Sequence, residues 1–191
     1  MKRKLFAFDV HDMVEIAMLC ALAIVLDRFL KIPLGPTGGS INLSMFPIIF
    51  INLRHGWFKG FIAGGLVYGL ITCLLDGYGL VTYPLEYFVA FGSSCILGVF
   101  AKFINVNINS KKKTYLSYLL VVVSITLWAT IRLLAASIDS VLIYGYDFKA
   151  ALIYNFSYVY ISAIAVTILT CSLLYLIVRL NKIYPTSYLK N

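Results

Sequence analysis

The 191-residue chain is 61% hydrophobic and 13% charged, with a mean hydropathy of +0.91. A water-soluble domain sits nearer roughly 45–50% apolar with about a quarter charged, so this composition excludes one and points to several membrane spans. The net charge of +8 has the sign that nucleic acid would need, but the basic residues fall in short clusters between apolar runs. With no basic stripe interleaved with aromatics, nucleic acid is excluded as a partner.

Met1 to Val10 is a basic leader with Lys2, Arg3 and Lys4. The next apolar run starts late, contains Glu15 and has the length of a span, so it does not read as a cleaved signal. It predicts a first span over about 12–30, in which Ala17 and Ala21 place two small side chains on one face that another helix can approach closely. Lys31 to Ser40 is dense in Pro and Gly and predicts a loop. Residues 41–53 predict a second, short span; Arg54, His55 and Lys59 read as a solvated polar turn, and His11 has the same status. A third span is expected over about 57–75, with Gly60, Gly64, Gly65 and Gly69 forming a small-residue face.

A Gly-punctuated loop from Asp76 to Thr82 leads to a fourth span over 83–104, which carries Glu86 one turn inside. After the hydrophilic stretch ending in Lys111, Lys112 and Lys113, the fifth and sixth spans are expected over 115–143 and 150–178. Cys20, Cys73, Cys95 and Cys171 all lie in apolar segments without CxxC spacing and read as buried small hydrophobes, not metal ligands or disulfides. Residues 1–191 thus form one all-α integral-membrane domain of six spans, without a repeat and without a predicted cofactor or metal.

Positively charged loops stay cytoplasmic. With both termini inside, twelve of the sixteen basic residues lie on the cytoplasmic side, and only Lys31 and Lys149 fall in outer loops. That orientation is the expectation, in a bacterial cell membrane. It places Glu86 near the outer ends of the helices, together with Arg132, Asp139, Ser140 and Tyr144 of the fifth span. Asn155 and Tyr158 at the start of the sixth join them. An ionisable residue at such depth faces a protein interior or a cavity, and polar groups converging on an apolar wall describe a small-molecule site. Two other readings compete. Glu86 and Arg132 also suit a structural ion pair, and Tyr83, Tyr87, Tyr144 and Tyr158 an interfacial aromatic belt. A catalytic apparatus is not visible: no GxSxG or HExxH occurs, and both histidines sit at polar ends.

Five segments carry a family likeness: Glu15-Ile16-Ala17, Gly38-Gly39-Ser40, Asn52-Leu53-Arg54-His55-Gly56, Leu85-Glu86-Tyr87-Phe88-Val89-Ala90 and Tyr154-Asn155. In this order the chain, from about residue 13 to 178, resembles the thiamine-specific S-components of energy-coupling factor (ECF) vitamin transporters. The resemblance implies a non-enzymatic six-helix subunit that binds thiamine from outside. Such a subunit works with a transmembrane coupling protein and two ATPases that drive uptake. Glu86 and Tyr87 match the family's ligand-binding pair, Asn155 a ligand-binding Asn, and Tyr144 the approximate place of a stacking aromatic. Ala17 and Ala21 would contact the coupling protein. Arg132, Asp139, Ser140 and Tyr158 complete the expected binding set.

The chain departs from the family at Ala136, where a binding His is usual, at Ala150, where a Tyr is usual, and at Gly38, where some members carry a stacking Trp. Asp139 and Ser140 are polar where small apolar residues are common. A carboxylate suits thiamine, whose aminopyrimidine donates hydrogen bonds and whose thiazolium is permanently cationic. A pyridoxine-type or hydroxymethylpyrimidine-type ring would use Glu86 and Asn155 too, without needing the missing groups. A stand-alone membrane transporter is the further alternative.

Overall fold

A computed structural model describes residues 8–34, 39–110 and 113–189. The sequence features at Lys2, Arg3, Lys4, Gly38, Lys111, Lys112 and Lys190 lie outside the described residues. The described residues are all-helical apart from one hairpin of two two-residue strands, and four of their helices are long and apolar enough to cross a membrane.

Helix α1 (Val10–Phe29) buries Asp12, Ile16, Cys20, Ala23 and Asp27, a stripe at three- and four-residue spacing that turns one face to the bundle. Its other face leaves Ala17 and Ala21 exposed beside Met13, Met18 and Leu22. The Pro/Gly segment that follows contains an antiparallel pairing of Ile32 with Ile41 and of Pro33 with Ser40. Ile41 therefore belongs to the hairpin, and the helix expected from residue 41 begins at Met45.

Helix α2 (Met45–Asp76) is continuous except at Gly56, whose φ of 81° interrupts the helical geometry. This break divides a short stretch, Met45 to His55, from the longer one beyond it, at the place where a polar turn was expected. The residues there are not solvated, however. Arg54, His55 and Lys59 are all buried, which overturns the reading of that turn as interfacial. Lys59 Nζ donates to Asp12 Oδ2 at 2.6 Å and Arg54 Nη2 to Glu15 Oε2 at 2.9 Å, while His55 lies between the same two acids. The acids of α1 and the bases of α2 enter the interior as pairs because a single buried charge is far costlier than a compensated one.

The chain after the last helix seals this end. Thr186 Oγ1 donates to the Arg54 carbonyl at 2.6 Å, Lys59 Nζ also donates to Ser187 Oγ at 2.7 Å, and Ser187 Oγ bonds Asp12. Asn181 accepts from Arg54 at 2.8 Å and donates to Asn105 at 2.7 Å, joining a third helix to the network.

Helix α3 (Tyr83–Asn109) opens with Pro84 in its first turn and widens to π geometry over Tyr83–Val89, the segment holding Glu86. It packs on α2 through glycines. A Cβ on Gly64 would meet the Phe91 carbonyl oxygen at 2.8 Å, and one on Gly98 the Trp57 backbone nitrogen at 2.4 Å. The small-residue face of the third predicted span is thus spent on packing inside this chain. Helix α4 (Thr114–Tyr144) ends at Gly145 in the left-handed region. Helix α5 (Phe148–Ile183) starts on Asp147, whose carboxylate accepts from the backbone N–H groups of Lys149 and Ala150. At 36 residues and about 1.5 Å per residue it outruns a bilayer core of roughly 30 Å, so its ends reach the interfaces.

Candidate functional site

The end of the bundle opposite the Arg54–Lys59 network is hollow. It is formed by the last turn of α1, the end of α2, the first turns of α3 and α5 and the second half of α4. Along α1, Asp12 in the closed network and Asp27 at the hollow end are fifteen residues apart, about 22 Å at 1.5 Å per residue. Two chambers share Gly39, Tyr78, Glu86 and Tyr158 in their walls. The inner one holds about 210 Å³ and is lined chiefly by polar groups, among them Asp27, Lys31, Asp76 and Arg132. The outer one holds about 530 Å³ and is aromatic, with Tyr144, Tyr146 and Tyr154 around its mouth. Glu86 stands where they meet.

Most polar groups of the inner chamber already have partners. Asp76 accepts from Arg28 Nη2 at 2.6 Å and from the Tyr87 hydroxyl at 2.9 Å, so both its oxygens are used. Asn42 donates to Asp27 at 3.0 Å and accepts from Ser44 at 2.7 Å, and Ser44 accepts from Tyr68 at 2.8 Å. This chain of side chains fixes the chamber floor with its donors matched to acceptors.

Glu86 and Arg132 are different. No N–H of the described residues donates to Glu86, and the two side chains form no ion pair within 4.0 Å. The structural pairing that competes with a ligand role is absent. Arg132 instead stacks on Phe91, 5.0 Å from the ring centre, and lies 5.7 Å from the Trp128 ring. Its guanidinium, a five-donor group, lines the inner chamber without an acceptor among the described residues. Among the described residues the cavity therefore presents Glu86 as an unmatched acceptor and Arg132 as an unmatched donor group, the arrangement that a solute carrying both kinds of partner would complete.

The structure brings most of the predicted set together. Tyr87 faces the inner chamber and Ser140 the outer one. Asn155, on the outer wall, donates to Ser137 Oγ at 3.2 Å and accepts from the Tyr158 hydroxyl at 2.8 Å. Tyr144 stacks with Tyr146 at 5.9 Å across the mouth. Asp139 lines neither chamber; it is buried behind Glu86, against whose carboxyl its own lies. Ala17 and Ala21 sit apart from the cavity, on the open face of α1.

The two departures at Ala136 and Ala150 face the cavity, one in each chamber. The groups missing there leave space, not a packed wall. Sequence reasoning passed over Asp27, Arg28, Asn42 and Asp76, which build the inner chamber. Their signal was the charge of Asp27, Arg28 and Asp76 at the outer ends of apolar runs. Gly39, part of the loop and of the family-like Gly38-Gly39-Ser40, has a φ of 76°; a Cβ there would meet the Tyr158 ring at 2.8 Å, so the hairpin reaches this tyrosine only as glycine.

Comparison with known proteins gives a consistent picture. Residues 13–185 match the family described as thiamine transporter protein (Thia_YuaJ). Thiamine transporter ThiT of Bacillus subtilis (strain 168) is 31% identical over 189 residues, an alignment covering 89% of this chain and 93% of that relative. A solved structure of ThiT from Listeria monocytogenes shares the fold, with a TM-score of 0.69 at 22% identity over 95% of this chain and 98% of that one. With the family match running through nearly the whole helical bundle, the chain belongs to the thiamine transporter family, as a multi-pass protein of the bacterial cell membrane and not an enzyme.

Proposed function

We propose that this protein is the vitamin-binding S-component of an ECF importer and captures thiamine at its extracellular face for ATP-driven uptake. The observation that carries this reading is Glu86, a carboxylate without an N–H donor that stands between a polar chamber and an aromatic one. The aminopyrimidine of thiamine supplies hydrogen-bond donors and its thiazolium a fixed positive charge. Either would satisfy Glu86 in a site screened from bulk water. The tyrosines of the outer chamber offer π-faces to the cation, worth about 0.5–2 kcal/mol for each well-placed ring.

In this reading the bundle crosses the membrane six times, counting α2 as two passes about Gly56, with both termini cytoplasmic. Tyr87 and Asn155 contact the ligand alongside Glu86, with Tyr144, Tyr158, Ser140 and Arg132 around it. The exposed Ala17/Ala21 face of α1 meets the transmembrane coupling protein, and two ATPases complete the importer. Titration of the purified protein with thiamine, followed through Trp128 beside Arg132, tests the proposal. A saturable change at micromolar ligand is expected; a flat response overturns it.

A second reading rests on Ala136 and Ala150, which open the wall where the family carries ring-binding groups. A smaller ring of the pyridoxine or hydroxymethylpyrimidine type would fit that reduced set. Tighter binding of either compound than of thiamine in the same titration would decide for it.

A further inference from the structure

Asp139 is the acid of this region with no place in either chamber wall. It is 1% exposed, and neither of its carboxyl oxygens receives a hydrogen bond from an N–H of the described residues. Its carboxyl lies against that of Glu86, across the packing of α4 on α3. Two carboxylates in contact in a water-poor interior repel each other and lack solvation. Such pairs persist by holding a single proton between them.

The surrounding charges do not remove that need. On α4, Arg132 lies two turns before Asp139 but is stacked on Phe91 and pairs with neither acid within 4.0 Å. From α2, Asp76 adds negative charge, already matched by Arg28, and Cys73 is a free cysteine. From α1 and its loop, Asp27 and Lys31 line the chamber that Glu86 lines, and Asp27 pairs with Arg28 at 3.4 Å. The hydroxyls of Tyr87 and Tyr158 are donated away, to Asp76 and Asn155. Tyr68 donates to Ser44, and Tyr144 faces the outer chamber. Among the described residues no cation pairs with either carboxyl within 4.0 Å, so none neutralises two ionised carboxylates at contact.

We infer that Asp139 is a positioning residue for Glu86: the two acids hold one shared proton in the empty site, and a cationic ligand expels it to the medium. The inference rests on the proposed role of Glu86 and adds to it a proton exchange. The O–H bond of the pair breaks and the proton leaves to solvent; Glu86 then faces the incoming positive charge as a carboxylate with ionised Asp139 behind it, and no electrons are transferred. Protons and ligand then compete for the same pair. Thiamine affinity falls as pH drops through the titration of the pair, by up to about tenfold per pH unit for one exchanged proton.

Calorimetry of the whole protein in detergent tests this, with thiamine injected at one pH in two buffers of different ionisation heat. The expected result is a binding heat that differs between the buffers, corresponding to release of a fraction of a proton per thiamine. In Asp139→Asn the buffer difference should vanish and the pH dependence flatten while thiamine still binds. Asp139→Ser repeats the test if the amide does not fold. Identical heats in both buffers for the unmodified protein would overturn the inference and leave the vitamin reading standing, as would unchanged proton release in either variant. Absence of any thiamine binding would overturn both.

Discussion

The guanidinium of Arg132 lies 5.0 Å from the centre of the Phe91 ring, a stacking contact, and no acidic oxygen lies within 4.0 Å of it. An arginine held by aromatic faces keeps its N–H donors free while its position is fixed. This separates Arg132 from Arg28, which is consumed by Asp76. Arg132→Met should therefore leave thermal stability within a few degrees of the parent, because only about 1 kcal/mol of stacking is removed. Its effect should appear in ligand affinity, measured by tryptophan fluorescence. A large loss of stability with unchanged affinity would give Arg132 a purely structural role.

Glu86→Gln keeps the shape of the side chain and removes its charge. If a cationic ligand pairs with this carboxylate in a dry site, binding should weaken by about 2–5 kcal/mol. Expression and melting temperature should hold, since no N–H of the described residues depends on Glu86. Equilibrium titration beside a melting curve separates the two effects.

The opposite end of the bundle should respond in the reverse way. Lys59 and Asp12 are both buried and meet at 2.6 Å. Lys59→Ala strands the aspartate between His55 and Ser187, and breaking one half of a buried pair costs about 3–5 kcal/mol. The melting temperature in detergent should fall sharply, and the double change Lys59→Met with Asp12→Leu should recover part of the loss. Thiamine binding measured well below the melting point should be nearly unaffected.

Gly98→Ala tests how closely α3 approaches α2. The added methyl carbon would sit 2.4 Å from the Trp57 backbone nitrogen, a contact that side-chain rotation cannot relieve. Separation of the two helices is the only relief, so stability should fall by more than the typical overpacking cost of about 1–3 kcal/mol. Gly79, with open space around it despite its φ of 94°, provides the control. There an alanine incurs only the left-handed backbone penalty, about 1–2 kcal/mol. Thermal melts of the two variants should rank in that order.

Ala17→Trp places a large ring on the open face of α1. Uptake in cells should be abolished while thiamine binding to the isolated protein persists, as expected if this face meets the coupling protein. Loss of both together would mean that Ala17 serves the fold instead.

The sequence by itself determined the membrane setting and most helix positions, because length and hydropathy of an apolar run translate directly into a span. It also singled out Glu86 as a candidate, since a carboxylate inside an apolar segment is conspicuous wherever the chain goes, and it carried the family likeness now matched over residues 13–185. Arg54, His55 and Lys59 escaped it. Their neighbours in sequence suggested a wet turn, whereas their partners Asp12, Glu15 and Ser187 arrive from distant segments. The same holds at the open end. Asp27, Asn42 and Asp76 are ordinary loop-edge residues until packing closes them into one chamber, and whether Arg132 would take Glu86 or Phe91 depended on helix rotation. Local pattern decides which segments enter the bilayer. Which buried charges find each other, and which are left facing a void, is decided only when the helices pack, because pairing depends on distances between residues far apart in the chain.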